Sequence, residues 1–406
     1  MTQRLPLLTG PRALALAASL ALSTLPAGVH AQSNVTLYGT LDSGFVHANH
    51  VASNNGPVGL SQITSNILSG SRWGLRGTES LGSGLTALFQ IESGFDAVNG
   101  KQGNGGLAFG RKAIVGLKAN QWGEVTIGRQ YDPVVNLVQG LTADGYFGGF
   151  FATPGDVDNY DNGARINNSI RYATPNYGGL QFEGMYALGN VAGKTGSGRS
   201  YGLAGAYSNG PIALGAGFFF ADGGGKIDEK ADSASRGFRQ WSGSAGSLFN
   251  SPINRGLSTA SKVRIVRVGG KYAIGPAILG VSYSHAQYAS DGLSAFSGTA
   301  KFDTVNLFTS YALTPALSTG LGYSYTRLRG PSQTAAHYNQ FNAGVTYALS
   351  KRTATYVIGG YQQATGNTLD ASGSKTVAAN ASVGSYGIDA GARTQLLLGM
   401  GLKHSF

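Results

Sequence analysis

Residues 316–364 read ALSTGLGYSYTRLRGPSQTAAHYNQFNAGVTYALSKRTATYVIGGYQQA. Leu317, Thr319, Leu321, Tyr323 and Tyr325 alternate with Ser318, Gly320, Gly322 and Ser324. Phe341, Ala343, Val345, Tyr347 and Leu349 alternate with Asn342, Gly344, Thr346 and Ala348. A two-residue period puts the two sets on opposite faces of a strand. One face is apolar, and the other is Gly, Ser, Thr and Asn rather than charged. A soluble sandwich would carry charge on its outer face. A barrel in lipid inverts that arrangement, with apolar residues outside and polar or small ones inside around water.

The same alternation recurs at Leu180–Leu188 and Ile212–Phe220. Strands are expected near 34–47, 70–80, 84–95, 108–119, 122–131, 166–174, 179–188, 200–208, 211–221, 263–274, 276–288, 301–313, 316–328, 337–349, 352–364 and 395–406. That is about sixteen, an even number, as in single-chain outer-membrane barrels. Joins after the even-numbered strands are tight, as at Asn209-Gly210, Thr314-Pro315 and Ser350-Lys351. Joins after the odd-numbered strands are longer: 48–69, 96–107, 132–165, 189–199, 222–262, 289–300, 329–336 and 365–394. Such short turns permit only antiparallel neighbours. The expected fold is all-β: a transmembrane antiparallel up-and-down barrel with short periplasmic turns and long external loops.

Composition agrees. Only 12% of residues are charged, Gly numbers 64 and Cys is absent, which excludes thiolate metal sites and Cys nucleophiles. Met1 to Ala31 has the pattern of a secretory leader: Arg4 and Arg12, a short apolar core, then Val29-His30-Ala31 with small residues at the −3 and −1 positions. The expected division is a cleaved leader, 1–31, and one barrel, 32–406. Removing the two leader arginines takes the formal charge from +11 to +9. The remaining cations are scattered, whereas a nucleic-acid surface shows a patch or stripe. No nucleic-acid partner is expected.

The segment Tyr131 to Ser169, YDPVVNLVQGLTADGYFGGFFATPGDVDNYDNGARINNS, breaks the alternation. It is long, aromatic and acidic, with Asp144, Asp156, Asp158 and Asp161, and it ends past Arg165. A structureless insert of this length is functional or disordered, and its aromatics argue against disorder. It is expected to fold into the space that the strands enclose. On the strands around it, Arg72 shares a face with Gly74 and Arg76, opposite Trp73 and Leu75. Glu92 shares one with Gln90, opposite Ile91. Arginine facing lipid near the midplane would cost ~2–4 kcal/mol, so these side chains should face inward. Arg129 shares its face with Val125 and Ile127, and a bulge there would reconcile the pattern.

Five stretches together resemble the general porins of Gram-negative outer membranes, in particular the β-proteobacterial branch. They are VTLYGTLDSG (35–44), SRWGLRGTESLGSGLTALFQIESGF (71–95), RKAIVGLKANQWGEVTIGRQYDP (111–133), GARINNSIRYATPNYGGLQF (163–182) and the terminal GLKHSF. The resemblance implies a homotrimer of sixteen-stranded barrels whose third external loop narrows each pore. It implies a basic wall of Arg72, Arg111, Arg129 and Arg165 opposed by the acids Asp144, Asp156, Asp158, Asp161 and Glu92, the last standing where the family has an inward acid. It implies Phe406 as the signal read by the barrel-assembly machinery. It also implies outer-membrane lipid and lipopolysaccharide as surroundings, and small hydrophilic solutes and anions as cargo. Thr40 stands where some members carry Lys, and Asp144-Gly145-Tyr146-Phe147-Gly148-Gly149 replaces the enterobacterial Pro-Glu-Phe-Gly-Gly-Asp run. Fewer acids and a positive net charge point to weak anion preference. Any single arginine has an alternative role, pairing with Glu92 or a loop Asp to hold the loop in place. The loop aspartates have one as ordinary turn residues.

Catalytic and cofactor signals are weak. No HxxxH or HExxH spacing occurs, and Gly189 to Thr195 falls one residue short of a phosphate-binding loop. No cofactor is expected and the chain reads as a channel rather than an enzyme. Two other readings are a barrel phospholipase, for which His285 is the tempting residue, and an adhesin or receptor acting through the long loops.

Overall fold

The computed structural model describes residues 34–190, 192–223, 248–331 and 333–406. The leader expected at 1–31 lies outside the described residues, as does most of the 222–262 join. Eighteen strands are present among the described residues. They are β1 (Asn34–Val51), β2 (Val58–Ser65), β3 (Arg72–Gly82), β4 (Leu85–Gly94), β5 (Lys112–Ala119), β6 (Gly123–Gln130), β7 (Ile166–Ala173), β8 (Leu180–Ala187) and β9 (Ser200–Asn209). Then follow β10 (Ile212–Asp222), β11 (Lys262–Ile274), β12 (Ala277–Ala289), β13 (Thr299–Ala312), β14 (Leu317–Arg329), β15 (Ala335–Ala348), β16 (Thr353–Leu369), β17 (Thr376–Ala378) and β18 (Thr394–Ser405).

All pairings are antiparallel, and β18 closes on β1 from Thr40↔Ser405 to Ala48↔Leu397. β2 and β3 are two halves of one stave: the first half of β1 pairs with β3 and the second with β2. β17 folds back antiparallel on the last residues of β16, Asn367 to Leu369, and is no stave of its own. The wall is therefore a closed barrel of sixteen staves, which leaves no open edge. Phe406 seals the seam. Its N–H donates to the Gly39 carbonyl (3.0 Å) and its carbonyl accepts from the Gly39 N–H (3.1 Å). Its ring lies where a side chain at position 39 would go.

The outer surface matches the alternation. Val115, Leu203, Leu321 and Phe341 each expose more than half of their surface, as lipid-facing residues of a barrel do. Tyr272, Tyr311 and Tyr347 sit on the same face towards the tight turns, where interfacial aromatic girdles are found.

Two expected joins are corrected. The long join placed at 48–69 is strand on both sides, since β1 runs on to Val51 and β2 starts at Val58. Here the wall stands above the apolar belt, so polar residues such as His47 and Ser61 (Nδ1···Oγ 2.9 Å) occupy paired strands. Backbone pairing makes the strand, and the side chains hide it. Likewise β16 continues to Leu369, inside the join placed at 365–394.

The true break in the stave, Asn66–Ser71, bends into the lumen over Asp42. That carboxylate is fully buried, accepts from the N–H of Leu68 (2.7 Å) and Ser69 (2.5 Å), and takes the hydroxyl of Tyr356. A buried carboxylate needs such donors.

The inner face is not uniformly watered. Glycines on β10, β14, β15 and β18 form pads for side chains of the 131–165 segment. A Cβ on Gly320 would lie 2.0 Å from the Phe147 ring; one on Gly322 would lie 2.9 Å from Phe151, and one on Gly217 2.8 Å from Val134. Two buried apolar clusters result: one around Phe147, Phe150, Phe151 and Ile358, the other around Val134, Val138, Tyr160, Phe219, Phe249 and Tyr288. Close-packed cores do not absorb added methyl groups. Gly320→Val should therefore unseat Phe147 and leave the barrel closed. Single-channel recordings in planar bilayers are expected to show higher, noisier conductance, with the barrel's resistance to unfolding in detergent retained.

Candidate pore constriction

The 131–165 segment folds into the space that the strands enclose, and it carries helical turns of its own. It contains α1 (Pro133–Val138), α2 (Asp144–Phe147) and several single 3-10 turns. Asp132 caps α1, accepting from the N–H of Val134 (2.8 Å) and Val135 (3.1 Å), with Pro133 in the first turn. Asp-Pro at a helix start is a recognised signature, visible in the sequence. Gly148 has φ +73°, and a Cβ there would meet the carbonyls of Ile67 and Leu68 within 2.7 Å. Both facts demand glycine. At this contact the segment leans on the bent stave.

Between this segment and the wall of β2 to β7 runs a cavity of about 1860 Å³. Its wall side is basic. The Arg111 Nε donates to Glu92 (2.7 Å), which also accepts from the Tyr38 hydroxyl (2.9 Å). The Arg72 Nε lies 3.9 Å from the same carboxylate, and its Nη1 donates to the Gly70 carbonyl at 2.7 Å. Arg165 stacks over the Tyr131 ring, 5.0 Å from its centroid, and donates to its hydroxyl at 3.1 Å. The Lys112 Nζ lies 5.9 Å from the centroid of the same ring. Arg72, Arg111 and Arg165 thus line the opening.

Two residues expected at the constriction are placed otherwise. Arg129 is buried, its Nε on the Gly110 carbonyl (2.8 Å) and its Nη1 on Asn167 (2.5 Å), and it is not among the residues lining the opening. The bulge expected beside it exists: Gly128↔Ser169 is followed by Gln130↔Ile166, so the extra residue lies on β7. Glu92 is not an acid opposing the arginines across the pore. It sits on their wall and among them, because β4 lies between β3 and β5.

On the loop side Asp144, Asp156 and Asp161 line the opening. Asp144 accepts from Gln139 (2.9 Å) and from the Thr142 hydroxyl, and Asp161 from the Ser385 hydroxyl. Burial and then the charge of Asp161 push Asp144 up to about 7. Burial and the charges of Asp161 and Asp158 raise Asp156 as well. Asp158 does not reach the opening. It is fully buried, bonded by Thr153 (3.2 Å) and by Ser284 of β12, and so fastens the segment to the wall.

Further residues belong to the lumen. Lys403 lines it, and the alternation in GLKHSF puts it opposite Leu402 and His404, a signal present in the sequence. Lys101 and Lys112 also line it. Arg267 on β11 is 1% exposed, with its guanidinium 4.1 Å from the Tyr160 centroid. Its charge acts on Asp132, Asp144, Asp156 and Asp158. Its apolar neighbours on the inward register, Val263 and Ile265, mask it in the sequence. Arg171 bridges Glu124 (2.7 Å) and Glu183 (2.8 Å), and Glu183 accepts from Asn136 of α1 at 2.8 Å. On the outer wall, His285 meets Asp303 (2.6 Å) and Gln287 (2.8 Å) through its two ring nitrogens; no serine hydroxyl is among its partners.

A closed sixteen-stave barrel with a folded segment narrowing a charged lumen is the geometry of a diffusion pore. Residues 13–368 match the family model described as Gram-negative porin. The chain belongs to the Gram-negative porin family. It is 30% identical over 369 residues to an outer membrane porin protein of Bordetella pertussis, covering 85% of this chain and 93% of that one. It is 35% identical over 204 residues to outer membrane porin protein 32 of Delftia acidovorans, covering 48% of this chain and 56% of that one. In structure it is similar to an anion-selective porin from Comamonas acidovorans (TM-score 0.69, 24% identity, 92% of this chain and all of that one). It is also similar to OmpT of Vibrio cholerae in its trimer form (TM-score 0.62, 16% identity, 92% of this chain and 99% of that one). The porin is an outer-membrane channel for passive diffusion of small hydrophilic solutes.

Removing one partner of a buried charge group costs about 3–5 kcal/mol. Arg267→Met should accordingly lower the porin's thermal unfolding temperature in detergent and increase current noise, because the acids of the narrowing segment lose their buried counter-charge.

Proposed function

We propose that this porin is a trimeric general diffusion channel with weak anion preference, set by Arg72, Arg111 and Arg165 on the wall. The supporting observation is that Arg72 and Arg111 share Glu92 on the wall, with Arg165 and Lys112 lining the same opening. Across the lumen, Asp144 and Asp156 hold protons more tightly than exposed carboxylates do. The narrowing segment then acts mainly as a steric gate, and the wall sets the sign of the field. Assembly as a homotrimer is supported by the trimer form of the Vibrio cholerae neighbour. The Comamonas acidovorans neighbour is an anion-selective porin, which supports the sign of the preference. Residues 1–31 serve as the export leader and Phe406 as the assembly signal, and the chain acts as a channel rather than a catalyst. Outer-membrane lipid and lipopolysaccharide are its surroundings.

Two measurements test the selectivity. A unit charge about 6 Å from a permeating ion in water contributes about 0.7 kcal/mol, roughly threefold in relative permeability. Arg72→Ser combined with Arg111→Ser removes two such charges and should lower the anion/cation ratio by about tenfold, read as reversal potential in a salt gradient; an unchanged potential refutes the assignment. As pH falls through about 7, Asp144 takes up its proton and the lumen gains positive charge. The wild-type ratio should therefore rise on acidification, and Asp144→Asn should flatten that rise.

A further inference from the structure

Several inward cations of this porin rest on tyrosine rings. Arg76 lies 5.4 Å from the Tyr38 centroid, Lys271 lies 5.2 Å from that of Tyr146, and Arg267 lies 4.1 Å from that of Tyr160. Tyr131 meets two cations, Arg165 at 5.0 Å and Lys112 at 5.9 Å. Tyr131, Arg165 and Lys112 all line the opening.

The place of Tyr131 in the chain fixes its ring. It follows the end of β6, where the narrowing segment leaves the wall, and Asp132 after it caps α1. Arg165 is the last residue before β7, where the segment returns. Gln130 and Ile166 are register partners, so Tyr131 and Arg165 are the next pair along and close the neck of the segment. The Arg165 Nη2 donates to the Tyr131 hydroxyl (3.1 Å) and to the Asn162 Oδ1 (3.2 Å), and its Nη1 donates to the Gly163 carbonyl (2.8 Å). Lys112 reaches the same ring from the start of β5, the strand beside β6.

A tyrosine ring and a carboxylate hold a cation in different ways. A carboxylate cancels the charge that it fixes, as Glu92 does for Arg111 (2.7 Å). A ring attracts a cation through its quadrupole and carries no net charge. A long side chain without any holder spreads over many rotamers, and a charge that moves away from the narrowest point exerts less field there. Glu92 is the register partner of Lys112. Even so, among the described residues no carboxylate lies within ion-pair distance of the Lys112 ammonium.

We propose that Tyr131 is a specificity-determining positioning residue. Its ring fixes Arg165 and Lys112 at the opening without neutralising them. This role rests on the anion preference proposed above.

The test uses the full-length porin in planar bilayers, with the anion/cation ratio read as reversal potential in a salt gradient. The sign of the wild-type potential decides the anion preference itself, and the change from wild type to variant decides the role of Tyr131. Tyr131→Leu should lower the ratio by roughly threefold, the effect of one unit charge lost from about 6 Å. Tyr131→Met, long but without a ring, should do the same and serves if the leucine variant fails to fold. Tyr131→Phe restores the ring and should recover the wild-type ratio. In the background Lys112→Gln, Arg165→Gln, adding Tyr131→Leu should cause no further fall, because the cations that it positions are gone. An unchanged ratio in the leucine or methionine variant overturns the proposal. So does a phenylalanine variant that falls as far as leucine, which assigns the effect to the hydroxyl. A full threefold fall in the doubly substituted background also overturns it, and assigns the effect to the shape of the narrowing segment.

Discussion

The arrangement depends on aromatic rings seated on glycine. Phe147, Phe150 and Phe151 can occupy the lumen only because the wall opposite them presents Gly320, Gly322, Gly344 and Gly399. Each ring buried against such a pad contributes about 1.5–3 kcal/mol, enough together to hold a 131–165 segment that would otherwise stand in solvent. The same logic seats α1, whose Val134 and Val138 lie over Gly217 and Gly215. Small residues on the inner face therefore do two things. On one side of the lumen they leave room for water, and on the other they leave room for the segment that narrows it.

Charge is distributed by the same division. On the open side, Arg72 and Arg111 share Glu92, and Arg165 rests on Tyr131, so all three line the opening. On the packed side, Arg267 is buried against the Tyr160 ring, and its charge favours the ionised forms of the enclosed Asp132 and Asp158. Identical residue types thus have different roles according to which side of the narrowing segment they occupy. Asp144 and Asp161 line the opening, whereas Asp158, three residues before Asp161, is bonded to β12.

The wall is largely legible from alternation, because lipid outside and lumen inside impose a strict two-residue period. Legibility fails where that contrast fades. Above the apolar belt, polar side chains on β2 hide the strand. At the β6–β7 bulge the parity rule breaks, so Arg129 leaves the exposed face of Val125 and Ile127 and is buried on the Gly110 carbonyl and Asn167, away from the opening that the resemblance implies for it. Glu92 faces inward as its alternation requires, but its partners lie on adjacent strands, and which strand residues stand level is a matter of register.

By itself the sequence determined the barrel, its closure, its strand count and the identity of the segment that enters the lumen. All of these follow from local periodicity, turn chemistry and one conspicuous interruption. Only the tertiary structure decided which charges face the opening, which acids are consumed as fastenings and which glycines carry rings. Those outcomes depend on contacts between positions far apart in the chain, such as Phe147 with Gly320 or Asp161 with Ser385. The period of a strand says which face a side chain takes, and carries no information about what meets it there.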